Sequence, residues 1–229
     1  MRTPGKDNYD HKLGEIVIIL GIFSLLIMTI INLDQTSSSI KDITGNAVSR
    51  VNITPAPPVF CNLTLEPGWN LVSFMCIIYE VDRINVIENI TQLRSIFEYQ
   101  EGSSDPWKSY NPSLPSWVVH DLEKMKRVEG YWIDAESSEQ VVIQGGLRVP
   151  TNVPLEQGWN LVGYPTNKTK TVNESFASIA GNFTEVRAFN RTTKGYYNYI
   201  PPATGPLNQT VPGEGYWINV TQNEVWIVD

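Results

Sequence analysis

The sequence predicts a mostly β (α+β) protein, with an N-terminal transmembrane helix followed by two tandem small β-rich modules, each with one short helix. Three observations carry this expectation. An uncharged apolar run lies near the N-terminus, a pair of signatures recurs along the rest of the chain, and strand-like segments punctuated by Gly and Pro dominate the remainder.

The run Ile16–Leu33, IVIILGIFSLLIMTIINL, has no charge and only Ser24, Thr29 and Asn32 as distinctly polar residues. At about 1.5 Å per residue, roughly 18–20 such residues cross about 30 Å of hydrocarbon, so residues 15–33 are expected to span a membrane once, with 1–14 as a cytoplasmic tail. A cleaved signal peptide fits less well, because its apolar core is only about 7–15 residues long and ends in a small-x-small site. Arg2, Lys6 and Lys12 precede the run while Lys41 and Arg50 follow it, so basic residues leave its orientation open. The glycosylation sequons speak more clearly: Asn52, Asn62, Asn89, Asn167, Asn173, Asn182, Asn190, Asn208 and Asn219 all begin N-x-S/T, and all follow the run. They are the glycosylation candidates, and they imply that the C-terminal side is extracellular.

A net charge of -7 and a pI near 4.9 exclude a basic patch of the kind that nucleic acid or an anionic lipid surface requires. Residues 34–59, which contain QTSSS and close on Thr54-Pro55-Ala56-Pro57-Pro58, have too few apolar residues to order themselves and are expected to form a flexible stalk. The only two cysteines, Cys61 and Cys76, flank a turn within Glu66–Leu71. A hairpin that sets Leu65 opposite Val72 also sets Cys61 opposite Cys76, and a disulfide closing such a loop contributes about 3 kcal/mol. With His11 and His120 the only histidines, no metal site is expected.

Repetition is the strongest signal. Leu65-Glu66-Pro67-Gly68-Trp69-Asn70-Leu71-Val72-Ser73-Phe74 returns as Leu155-Glu156-Gln157-Gly158-Trp159-Asn160-Leu161-Val162-Gly163-Tyr164. Glu129-Gly130-Tyr131-Trp132-Ile133-Asp134 returns as Glu214-Gly215-Tyr216-Trp217-Ile218-Asn219, and Trp107, Tyr110 and Pro112 find counterparts in Tyr196, Tyr199 and Pro201. The modules are therefore expected at 60–147 and 148–229. Within each, the Gly-Trp-Asn-Leu-Val and Tyr-Trp-Ile segments read as strands, as do Val141–Ile143 and Val225–Val228. Ile84, Ile87, Ile90 and Leu93 in Val81–Ile96 suggest a helix capped by Asp82. Asn173 suggests a cap in the second copy, where Phe176 and Ile179 follow and Gly181 ends the helix.

These signatures resemble tandem GWNLVS…GYWI repeat modules of predicted archaeal and bacterial cell-surface proteins, and Ile43–Val48 is similar to a segment of N-terminally anchored archaeal surface proteins. The resemblance covers Cys61 to Asp229. It implies an exported, often multi-module protein and brings no functional residues with it.

The chain has no nucleophile elbow, zinc motif, phosphate loop or calcium loop. The recurring acids, Glu66 with Glu129 and Glu156 with Glu214, sit beside turn glycines and suit backbone N–H acceptors better than a carboxylate pair for catalysis. An enzyme is not expected, nor is any cofactor. Trp69, Trp132, Trp159, Trp217 and Trp226 are expected in the cores. Trp107, Tyr110, Tyr196, Tyr197 and Tyr199, in Gly- and Pro-punctuated stretches, are the candidate ligand-binding aromatics, since ring faces stack on sugars. Period-two alternation puts Trp217 and Asn219 on one strand face, so both cannot enter one core. The expected role is a single-pass, glycosylated cell-surface protein acting in adhesion, surface-layer association or recognition of an extracellular ligand such as a glycan or envelope protein. The alternative is a structural subunit of a filament or envelope, because Gly14-Glu15 before an apolar run loosely resembles a pilin-type processing site.

Overall fold

Each repeat opens on a turn held by one buried side chain. The Asn70 carboxamide accepts from Glu66 N at 2.9 Å and donates to Glu66 O at 2.8 Å and Gly68 O at 2.7 Å. Asn160 repeats this with Glu156 N, Glu156 O and Gly158 O. Gly68 and Gly158 take φ of 79° and 106°, a region where a Cβ is strained. The Gly-x-Asn of the signature is thus the chemistry of the turn.

The computed structural model describes residues 58–115, 117–202 and 205–229. Module 1 holds β1 (Val59–Leu65), β2 (Gly68–Val72), β3 (Val81–Asp82), α1 (Ile84–Ile87), β4 (Leu93–Tyr99), β5 (Trp107–Tyr110), β6 (Lys124–Met125), β7 (Tyr131–Ala135) and β8 (Glu139–Gly145). Module 2 holds β9 (Thr151–Leu155), β10 (Gly158–Gly163), β11 (Lys170–Thr171), α2 (Val172–Ser175), β12 (Phe183–Asn190), β13 (Gly195–Tyr199), β14 (Gln209–Thr210), β15 (Gly215–Val220) and β16 (Glu224–Val228), with a 3-10 turn at Ala177–Ile179. Among the described residues strand far outweighs helix. Each module has a four-stranded antiparallel sheet, ordered β2-β7-β4-β5 or β10-β15-β12-β13, and a two-stranded pair, β1-β8 or β9-β16. The cores lie between the sheet and this pair. Leu65, Tyr131, Ile133 and Val141 are fully buried in the first, as are Tyr216, Ile218 and Trp226 in the second. Trp226 also donates its indole N–H to Ser175 O at 2.5 Å, so its one polar atom is satisfied.

Three expectations are corrected. The fold class predicted a transmembrane helix at 15–33. No helix among the described residues is long and apolar enough to cross a membrane, and 15–33 itself lies outside them. What the structure supports is a mostly β protein. Second, Cys61 and Cys76 do form a disulfide, with Cα atoms 6.0 Å apart, yet β1 and β2 are not a hairpin. β1 pairs with β8 and β2 with β7, so the bridge ties the two-stranded pair to the segment that follows β2. Third, each module does have one short helix, a single turn, but Asp82 and Asn173 are not its caps. Asp82 lies in β3, where it pairs with Lys124, and α1 has no side-chain cap. In module 2 the cap is Thr171, in a capping box with Glu174, and Asn173 lies within the turn.

The two modules meet along a reciprocal backbone seam. Val72 at the end of β2 bridges Glu214, and Val162 in β10 bridges Glu129. Ser73 N donates to Gly213 O at 3.0 Å and Gly163 N to Val128 O at 2.9 Å, the same bond made once in each direction. Ser73 Oγ donates to Glu214 O at 2.9 Å and accepts from Tyr164 N. The glycines of the second signature are explained here: a Cβ at Gly130 would stand 2.8 Å from Val162 O, and one at Gly215 2.8 Å from Val72 O. Gly215→Ala should therefore destabilise residues 58–229 by roughly 1–3 kcal/mol in urea unfolding. Gly195→Ala, whose added methyl meets only Thr193 Oγ1 at 3.9 Å, should be near neutral. Equal stability of the two variants would contradict the seam.

Candidate functional site

Strand alternation gives each four-stranded sheet a second face, and the modules turn these faces towards each other. β7 sends Tyr131, Ile133 and Ala135 into its core, leaving Trp132 and Asp134 outward; β15 does the same with Tyr216 and Ile218 against Trp217 and Asn219. β4 and β12 add Phe97, Tyr99, Arg187 and Phe189 to the outward set, cross-strand from Trp132, Trp107, Trp217 and Tyr196. Rings from the two modules then interlock. Trp132 lies 4.8 Å from Phe189 and 6.1 Å from Tyr196, while Trp217 lies 5.1 Å from Tyr99 and 6.2 Å from Trp107.

Between these rings opens a cleft of about 660 Å³, lined by Gly68, Trp69, Phe97, Trp107, Trp132, Phe189, Lys194 and Tyr196. That volume falls in the range of roughly 300–1,000 Å³ typical of small-ligand sites. Trp69, Trp107 and Tyr196 remain 44%, 42% and 55% exposed at its mouth. Lys194, at φ 56° in the β12–β13 turn, reaches across the seam to donate to Trp69 O at 3.1 Å. Its neighbour Arg191 donates to Thr64 O and lies 3.8 Å from Glu214. The turn is set by Asn190, whose side-chain oxygen accepts from Thr192 N and Thr193 N. The cleft is therefore walled by both modules and clasped by a hairpin of the second.

The five candidate aromatics separate by strand parity. Trp107 and Tyr196 line the cleft. Tyr110 turns inward, packing on the first core with His120 at 4.7 Å and Arg83 over its ring at 4.4 Å. Tyr197 and Tyr199 pack against the second core, with their hydroxyls donating to Glu214 and Asn173. Burial and Glu214 hold the Tyr197 phenol up at about 12. The four signature tryptophans correct the core expectation, because they occupy the outward face; only Trp226 is a core residue. Phe97, Phe189, Arg187 and Lys194 were not anticipated. The i, i+2 pairs Phe97/Tyr99 and Arg187/Phe189 are the signal that could have found them. Of the sequons, Asn62, Asn89, Asn167, Asn173, Asn190 and Asn208 are exposed, Asn182 and Asn219 half-buried, and Asn52 lies outside the described residues.

One acid near the seam is out of its usual range. Burial, then repulsion from Glu98, raises the Glu129 carboxyl to about 7 against a weaker pull from Lys126. Glu98, itself buried, is likewise raised, first by desolvation. In module 2 position 98 is matched by Ala188, and Glu214 accepts from the hydroxyls of Tyr216 and Tyr197.

The fold and cleft define a class, a two-repeat β protein with an aromatic cavity between its repeats. No protein-family model, no curated protein and no solved structure matches the chain.

Because Glu129 binds its proton more tightly folded than unfolded, its stabilising contribution is complete below about pH 4.5 and is lost as pH rises through about 7. Urea unfolding from pH 5 to 8 should show a loss of roughly 2 kcal/mol that Glu129→Gln largely removes. An unchanged pH profile in that variant would contradict the assignment.

Proposed function

We propose that this protein is an exported recognition protein that binds a glycan in the aromatic cleft between its repeats, rather than a catalyst. The observation that carries the reading is the cleft itself: six rings drawn from both modules, three of them half open, with one ammonium at the rim. Sugar rings present apolar C–H faces that stack on Trp and Tyr, while their hydroxyls hydrogen-bond to groups such as the Lys194 ammonium. The export half of the reading is supported by the Cys61–Cys76 disulfide, by the sequons, and by the resemblance of the repeat signatures to cell-surface modules. Adhesion or envelope association follows if the glycan belongs to a cell surface.

A screen of residues 58–229 against envelope glycans should yield binders, and Trp69→Ala should weaken them at least tenfold, about 1.4 kcal/mol. Trp69 lies at the mouth, so that variant should melt close to wild type. Glycans that bind equally well without the Trp69 ring would contradict the site. Binding of proline-rich peptides alone would instead make the cleft a protein-docking groove. Mass spectrometry of protein from a glycosylating host should find glycan at Asn62, Asn167 and Asn208 but not at Asn182, whose Nδ2 donates to Glu224 at 2.7 Å.

A further inference from the structure

The repeat predicts two clefts, and the second is present at about 340 Å³ against about 660 Å³ for the first. Register equates Arg187 with Phe97, since they face Trp217 and Trp132, and Glu185 with Ser95, since they face Asn219 and Asp134. Around Arg187 stand Tyr99, Trp159, Tyr196 and Trp217, lining a residual cavity of about 340 Å³. The guanidinium lies over the Trp159 ring, Cζ 4.4 Å from its centroid. It is held there by a fork to Glu185, Nε at 2.7 Å and Nη2 at 3.0 Å, and Asn198 Nδ2 donates to the same carboxylate at 2.9 Å. A planar cation stacked on Trp159 thus takes the place that Phe97, its ring 5.8 Å from that of Trp69, takes in the open cleft.

The charge at the two rims is inverted. Beside Gly158 at the second cleft stands the Glu101 carboxylate, which also accepts from Tyr99; beside Gly68 at the open cleft stands the Lys194 ammonium. Acids, Glu185 and Glu101, surround the cleft that holds a cation. In the open cleft Glu185 is replaced by Ser95. The carboxylate cross-strand from Trp69, Asp134, is paired with Arg94 at 3.5 Å.

We infer that Arg187, standing where the open cleft has Phe97, narrows the second cleft and closes it to ligands, and that the open cleft selects acidic ring-faced ligands. On the glycan reading above, on which this rests, the ligand is an acidic sugar such as a uronic acid residue, bound once per chain. Stacking of the sugar's apolar C–H face on Trp69 supplies the affinity and Lys194 the preference for an anion.

The test uses the matched flat probes 1-naphthalenesulfonate and 1-naphthylmethylammonium in calorimetric titrations of the full chain. The wild type should bind one sulfonate, at least tenfold more tightly than the ammonium. Arg187→Phe with Glu185→Ser should bind two probes. Phe97→Arg with Ser95→Glu should bind none, with near-ultraviolet circular dichroism confirming that it folds; should it not fold, the first variant decides alone. One probe in the Arg187→Phe variant, or equal affinity for the two charges, would overturn the inference while leaving the cleft in place. No binding to the wild type would overturn the cleft reading itself.

Discussion

The backbone seam in which Val72 meets Glu214 and Val162 meets Glu129 is the constraint from which the rest follows. Bonds of this kind tolerate almost no slack: a strand end donates to a carbonyl about 3 Å away or not at all. Because the same contact is made once in each direction, it fixes both position and rotation of one repeat relative to the other. Glycine at 130 and 215 is the sequence's concession to that closeness. A repeat lacking its partner would leave those groups to water and expose a sheet face of large rings.

The seam has a consequence for those rings. An outward face bearing Trp132, Phe97 and Trp69, or Trp217 and Trp159, would be an aggregation hazard on an isolated module. Set against each other, the faces bury their centres and leave their margins open, and it is at the margins that the copies diverge. Phe97 has become Arg187, Ser95 has become Glu185, and the clasping turn carries Lys194 where the other copy carries Glu101. The inner faces keep Tyr131 and Ile133 as Tyr216 and Ile218, but there too Glu98 is matched by Ala188 and Val141 by Trp226. Divergence at the margins is what makes the two clefts differ in charge.

Much of this was legible in the sequence, and particular residues show why the rest was not. The equivalence of Trp107 and Tyr110 with Tyr196 and Tyr199 holds in the strand register, because repeated sequence reports repeated structure directly. The disulfide pair was legible, though its geometry was not: β1 pairs with β8, across most of the module, and local turn signals cannot report a partner so distant. The side on which Trp132 and Trp217 lie was illegible for a different reason. A run such as Tyr131-Trp132-Ile133 is apolar on both faces, so alternation fixes two groups without saying which is the core. Asn219, sharing a face with Trp217, was the one hint that the tryptophan faces outward. The end of the first helix was illegible because Ile84, Ile87 and Ile90 keep helical spacing through a segment that makes a single turn and then bends back to the sheet.

Amide hydrogen exchange at Ser73 and Gly163 tests the seam most directly, since these two N–H groups donate from one module to the other. They should be protected to the same degree as core strand amides such as Ile133 and Ile218, opening only with global unfolding. Exchange at the rate of exposed turns, with the cores of both modules still protected, would show the repeats to be independent and the cleft between them not to exist.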